Sequence, residues 1–312
     1  MANQATTNAN GTLAMSEILL LTVLGNEAVE KGSLHIFDGI QDKTSIGRMT
    51  SDADIIQDRQ ATPSNELGAP DYDEQLIQPK DMMVYYKINP RQFESLWREF
   101  QPQGPLADRV LNPDIQSALL KATSDQVQNQ IGKLIWQGDV SAGPASPLRF
   151  FDGFITRAIA ASGTIDVPNI GAITAANIIA VLSDVTQAIP DSIYGKPETT
   201  LNMSTTTYRL YEEALRNLDF KGSDIKDSGP EFFAGVPIKF YSEFPANTIL
   251  ACKTSANPST TNLFGAVDMA NDDMNFKIER WRPESELFFV KLLFKMDVNM
   301  GFFREAVLYV GS

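Results

Sequence analysis

The chain has 312 residues, 39 acidic against 26 basic side chains, a net charge of −13, one cysteine and one histidine. Its apolar fraction of 43% is that of an ordinary folded protein, which excludes disordered and fibrous classes, and its length suits one large or two compact domains. A surface that wraps nucleic acid rests on neutralising phosphates with Lys and Arg, so the acidic balance argues against one and any contact with DNA should be weak; Cys252 and His35 alone supply no disulfide framework and almost no metal site or catalytic dyad.

Met1–Thr12 is mostly Asn, Ala, Thr and Gly, the composition of a flexible arm. Leu13–Leu24 is the one candidate targeting segment. No Lys or Arg precedes it, Ser16 and Glu17 interrupt it, and it is too short to span a bilayer, so it reads as a short helix docked on this chain or on a neighbouring copy. Two strand-like pieces follow, Leu34–Phe37 and Met82–Tyr86. Between them lie roughly 45 residues rich in Asp, Gln, Thr and Pro, with few large apolar side chains. That interval cannot bury a core of its own and reads as a long hairpin leaving the body.

Arg91–Phe100 carries Phe93, Leu96, Trp97 and Phe100 at helical spacing. The next segment is the most regular in the chain. Asn112 is a good N-cap, Pro113 sits where a missing amide costs nothing, and Asp114 faces the positive end of the macrodipole. Ile115, Leu119, Ala122, Val127, Ile131, Leu134 and Ile135 make one apolar stripe, and Gly138 stops the helix. About 25 residues at roughly 1.5 Å each predict a rod on the order of 37 Å.

From Thr164 to Asp273 helices alternate with strands, as in a compact α/β unit. Thr174 is expected to cap a helix carrying Ile178, Leu182, Val185 and Ile189, ended by Pro190. Thr199–Met203 is a strand, Thr205–Leu218 a second helix with Thr at its start, and Val236–Tyr241, Ile249–Cys252 and Leu263–Val267 are further strands. The chain closes with Asn275–Trp281 and with Leu287–Val310, two long strands broken near Gly301 and expected beside the long helix.

The residues that carry chemistry elsewhere are sparse. No phosphate loop, nucleophile elbow or complete calcium loop is present. Asp52, Asp54, Asp71, Asp73 and Glu74 read as solvated hairpin carboxylates or partners for basic residues of a neighbouring copy, and Asp272–Asp273 as a turn. His35 reads as structural and Cys252 as a small hydrophobe. Lys277–Arg282 interleaves bases with Trp281 and reads as a strand face pairing with carboxylates. Asn10 and Asn202 match glycosylation acceptors without a secretion route. No catalytic, cofactor-binding or metal-binding residue is assigned.

In order, these pieces resemble the major capsid protein of tailed bacteriophages, the HK-ninety-seven-type fold. Ile135-Trp136-Gln137-Gly138-Asp139 followed by Phe151-Asp152-Gly153-Phe154-Ile155 is similar to the family's helix-to-loop passage. Ala234-Gly235-Val236-Pro237-Ile238, Pro245, Ile249 and Asn262-Leu263-Phe264-Gly265 are similar to stretches of its axial domain. The resemblance covers nearly the whole chain and rests on order and spacing. It implies an α+β fold with an N-terminal arm at 1–33, an extended β-hairpin loop at 34–86 reaching over an adjacent subunit, a peripheral domain at 87–163 with its spine helix at 113–137, an α/β axial domain at 164–273, and closing strands of the peripheral domain at 274–312.

It further implies a non-enzymatic virion protein, self-assembling as pentamers and hexamers in the host bacterial cytoplasm into an icosahedral head. That head encloses double-stranded DNA without specific binding and without a membrane; portal, scaffold or decoration proteins are the implied partners. The cleavable scaffolding region of some relatives has no counterpart, and Lys43 finds no matching cross-link partner. The alternatives are an encapsulin-type nanocompartment on the same fold and an α/β enzyme with its site in 164–273.

Overall fold

The computed structural model of the protein describes residues 26–51, 56, 59, 70–89, 113–217, 232–268, 276–282 and 287–311. Residues 1–25 of the expected arm, with the short helix expected at Leu13–Leu24, the helix at 91–100 and the cap Asn112 lie outside these residues. Helix α1 (Glu27–Glu30) opens on Asn26, whose side-chain oxygen accepts the Val29 N–H, and strand β1 (His35–Asp38) follows. β2 (Thr44–Ser51) and β3 (Pro70–Ile77) pair antiparallel as a separate two-stranded hairpin, with Thr44 opposite Ile77 and Ser51 opposite Pro70. β4 (Lys80–Ile88) returns to the body.

Helix α2 spans Pro113–Gln137, the bounds expected from its stripe and its stop. Val127, Ile131, Leu134, Ile135 and Trp136 are buried, whereas Ala122 is exposed. One turn of the stripe thus lies off the body, and there the neighbouring Thr123 hydroxyl meets the Tyr86 phenol of β4 instead. After α2 come α3 (Phe154–Ala160), β5 (Ile165–Asp166), α4 (Ile178–Gln187), β6 (Thr199–Ser204), α5 (Thr205–Arg216), β7 (Phe232–Phe233) and β8 (Val236–Tyr241). β9 (Thr248–Lys253), β10 (Leu263–Asp268), β11 (Phe276–Arg280), β12 (Phe288–Met300), a 3-10 turn (Phe303–Glu305) and β13 (Val307–Val310) complete the described chain.

Two sheets make the body. In the first, β12 is central: β4 pairs along one edge, β11 and β10 share the other, and β1 joins β10 in parallel. The second has the order β5-β13-β9-β6-β8-β7. Helices α4 and α5 cover one face of it, packing Val181, Leu182, Val185, Tyr208 and Tyr211 on Leu201, Met203, Ile249 and Val307. Its other face, with Tyr241, Leu250, Cys252 and Leu308, joins the core formed by α2, α3 and the inner face of the first sheet. Buried on both sides, β6 and β9 read as continuous apolar runs rather than alternating ones.

Trp136 is the hub between the layers. It is 1% exposed, and its ring centre lies 5.5 Å from that of Phe154 and 4.9 Å from those of Tyr241 and Phe244. Just beyond it the backbones of Gly138 and Gly153 cross. The Gly153 N–H donates to the Gly138 carbonyl at 2.9 Å, and the Thr156 hydroxyl donates to the same oxygen at 2.6 Å.

Several expectations need correcting. The strand at 263–268 was expected in the α/β unit; it pairs with β12 and β1 in the first sheet, while the last strand, expected beside the spine, pairs with β9 and β5 in the second. Both strands are apolar on both faces, so periodicity could not assign a partner. Thr174 does not cap α4. The Asn177 side chain accepts the Thr174 N–H at 2.7 Å and the helix begins one residue later. Ser204, not Thr205, caps α5, its hydroxyl accepting the Thr207 N–H at 3.1 Å. Within the interval 34–86, β1 and β4 belong to the first sheet, so the excursion from the body is the hairpin 44–77.

Candidate assembly interface

Among the described residues no group of three or more His, Cys, Asp or Glu is placed to hold a metal, and no helix is long and apolar enough to cross a membrane. The singular residues have structural partners. His35 is half-buried; its Nδ1 lies 2.8 Å from the Ala256 carbonyl, and its ring meets the edges of Phe37 and Phe264. Burial pushes the Cys252 thiol up to about 12, against the pull of Lys239, so no thiolate nucleophile forms near neutrality. Asn202 is fully buried, its amide donating to the Leu250 carbonyl at 3.0 Å, which removes it as a glycosylation acceptor.

The acidic motifs divide. Asp52, Asp54, Asp272 and Asp273 lie outside the described residues, while Asp73 and Glu74 stand exposed on β3. Of the basic run at 277–282, β11 is placed but its side chains are not described. Trp281, near its end, lies against two cations, with the Lys87 amine 3.4 Å and the Arg282 guanidinium 4.4 Å from its ring centre.

The hairpin is the outlying element. Near the body Ile46 and Ile77 are buried with Phe264 and Ala266, with Phe37 and Ile40 packed beside them. Farther out, the opposite face presents Met49, Tyr72 and Leu76, exposed by 71, 57 and 45%. Tyr72 lies across Gly47, where a methyl group would meet the phenol oxygen at 2.1 Å. The hairpin's inner face is tied to the body by charge. Arg48 donates to Glu305 Oε1 at 2.9 Å and stacks over Phe302, and Lys253 donates to Glu305 Oε2 at 2.8 Å. On the other strand, the Gln78 N–H donates to Asp297, which Arg157 holds from behind, both at 2.9 Å.

A second apolar surface lies on the outer face of the first sheet. Register places Met83 beside Leu293, Tyr85 beside Lys291, and Lys87 beside Phe289. Met83 and Tyr85 are 57 and 45% exposed, and Lys291 and the pair Lys295–Asp81, 3.5 Å apart, lie among them. The surface is therefore apolar in its middle and basic at its edge, on a chain that is acidic overall. Sequence reading missed both it and the ion pairs of the hairpin; the one available sign was Arg48, one of only two bases between Lys43 and Lys80.

No known family model matches the chain, and no curated protein matches it in sequence. Solved structures do. A chain of the satellite phage P4 procapsid that includes the size-determination protein Sid aligns with a TM-score of 0.59 at 11% identity, over 95% of this chain and 98% of that chain. A chain of the native GTA particle capsid aligns with a TM-score of 0.56 at 13% identity, over 100% of this chain and 96% of that one. A chain of a virus-like particle from Pyrococcus furiosus aligns with a TM-score of 0.51 at 10% identity, over 94% and 96%. At such identities the likeness is one of fold. The chain has the phage major-capsid fold, a mixed α+β architecture.

Proposed function

We propose that this chain is the shell subunit of a tailed-phage head, self-assembling through many identical contacts into an icosahedral capsid around double-stranded DNA. One observation carries the reading: a fold that aligns end to end with capsid chains also extends a hairpin with an exposed apolar outer face and no core of its own. In this reading residues 1–33 are the arm, the hairpin 44–77 is the loop that reaches a neighbour, the first sheet with the long helix is the peripheral domain, and the second sheet with α4 and α5 is the axial domain. Pentamers and hexamers use the one sequence, and the acidic chain encloses DNA without binding it. Portal, scaffold or decoration proteins would be its further partners during assembly in the host cytoplasm, and no reaction is assigned.

The neighbouring surface that suits the hairpin is the outer face of β4 and β12. Exposed Met49, Tyr72 and Leu76 meet exposed Met83 and Tyr85, and the carboxylate of Glu74, on the same hairpin face, meets Lys87 and Lys291. Each copy would both give and receive, which is how a heterologous contact closes rings. Negative-stain microscopy of the expressed chain tests the shell. Closed particles are expected, and small monodisperse species under every assembly condition would overturn it.

Two variants test the contact. Excising residues 49–72 and joining Arg48 to Asp73 through an Asn-Gly turn keeps the hairpin's anchors and should give soluble subunits without closed shells. Tyr85→Asp should change subunit stability by only about 0.5 kcal/mol, as exposed positions do, and yet stop assembly. Normal particles from either variant would remove the hairpin from the contact. Absorbance and mass spectrometry of purified particles separate a DNA-filled head from an encapsulin-type compartment holding cargo protein.

A further inference from the structure

The two strands of the hairpin are fastened to the body by different physics. On β3 the attachment is backbone and apolar: Ile77 is fully buried, the Leu76 carbonyl accepts the Asn299 amide at 2.8 Å, and the Gln78 N–H donates to Asp297 at 2.9 Å. The next residue, Pro79, is buried, so the chain between β3 and β4 is pinned to the body at this one point. Among the described residues the polar attachment of β2 is one charged side chain, that of Arg48. Arg48 lies four residues beyond Thr44, roughly 13 Å out along the strand from that point. There it reaches Glu305, on the short turn before the last strand, and nothing in the local sequence brings the two together.

Glu305 stands between two cations. One of its oxygens takes Arg48 of the hairpin and the other takes Lys253 of β9, and the three side chains are 14, 39 and 12% exposed. Among the described residues no other charged side chain contacts this carboxylate, and Asp73 stands opposite Arg48 on the paired strand of the hairpin. Neutralising Glu305 would therefore do more than remove an attraction. It would leave the hairpin cation facing the body cation across a partly dry gap, where like charges repel strongly.

We infer that the hairpin is hinged at Gln78–Pro79 and latched at Arg48, with Glu305 as the latch that sets its angle to the body. The inference does not depend on the shell reading, because it concerns one chain. Within a shell it would let the subunit hold its hairpin at one angle before contact and at another once a neighbour's charges compete for Arg48.

The response to acid has a defined order. Burial works against the charged form of Glu305, but Lys253 and Arg48 outweigh it and hold the carboxyl below the usual glutamate range. The latch contributes stability above the unfolded pKa of a glutamate and loses it as pH falls through the lowered folded value. Asp297 behaves oppositely: burial lifts its carboxyl despite Arg157 and the backbone donors, so it takes its proton first. A protonated Asp297 still accepts the Gln78 N–H, so the joint survives while the latch opens at lower pH.

The experiment places nitroxide labels at Met49→Cys on the hairpin and Lys133→Cys on α2, both exposed. Cys252 is fully buried and stays unlabelled. Labelled full-length chain is diluted into an excess of unlabelled chain, so that only distances within one copy are read. At neutral pH a single narrow distance is expected. In Arg48→Met, which leaves Lys253 and Glu305 paired, and in Glu305→Gln, the distribution should broaden or shift by roughly 4 Å, as a swing of about 15° about the joint would carry the label. Lowering the pH should move the parent chain to the same distribution and leave Glu305→Gln unchanged. Circular dichroism reports whether each variant remains folded; if Glu305→Gln unfolds, Arg48→Met decides alone. An unchanged distance in folded Arg48→Met overturns the latch.

Discussion

Replacing Gly153 with alanine should cost the fold about 3 kcal/mol or more and leave little soluble chain. A methyl group there would lie 2.7 Å from the Gly138 nitrogen, the Leu134 carbonyl oxygen and the Trp136 carbonyl carbon. All three are backbone atoms, two in the last turn of α2 and one in the glycine that follows it, so no side-chain rotation can make room. The converse substitution, Gly138→Ala, meets the Phe151 carbonyl oxygen at 2.2 Å. Overpacking a core usually costs about 1–3 kcal/mol, and a clash between two backbones lies at or beyond the top of that range. Gly143, with nothing within 4 Å of a built methyl group, is the matched control and should tolerate alanine. Urea denaturation of the three variants separates them, and equal midpoints would mean that the crossing can open without loss.

Ile131→Asp should be the most damaging single change in the long helix. Ile131 is 2% exposed in the core shared by both sheets, so the aspartate would lose the burial of a large aliphatic side chain and bring a carboxyl with no partner. Those two terms together are on the order of 4 kcal/mol, against the roughly 5–15 kcal/mol by which domains are stable at all. Lys133, two residues on, is exposed, and Lys133→Asp should change the midpoint little. A folded Ile131→Asp with an unchanged midpoint would mean that the stripe faces water.

What could be read from the sequence follows how far each signal reaches along the chain. The long helix was legible to the residue, because a proline at its first position, a 3.6-residue stripe and a terminal glycine are local. The hairpin was legible as an interval without a core, since composition alone says what cannot be buried. Strand partners were not. β10 and β13 are apolar on both faces, and periodicity tells neither of them which sheet it joins. The Gly-Asp and Asp-Gly pairs were visible as motifs, but that their glycines cross backbone on backbone required coordinates. The ties of the hairpin were invisible for a simpler reason: Arg48 and Glu305 are 257 residues apart, and a single charge in an acidic segment carries no address.

The placement of β13 bears on how the chain comes apart. β12 is the central strand of the first sheet, and only the 3-10 turn separates it from β13, which lies between β5 and β9 in the second. Stripping β13 away would uncover β9 and the apolar side chains Val307 and Tyr309 pack against, including Ile249 and Ala251. A fragment ending near Asp273 therefore has an unpaired, aggregation-prone edge where the intact chain has a filled sheet. The two layers should melt in one cooperative transition, because β13 sits in the second sheet directly after the central strand of the first.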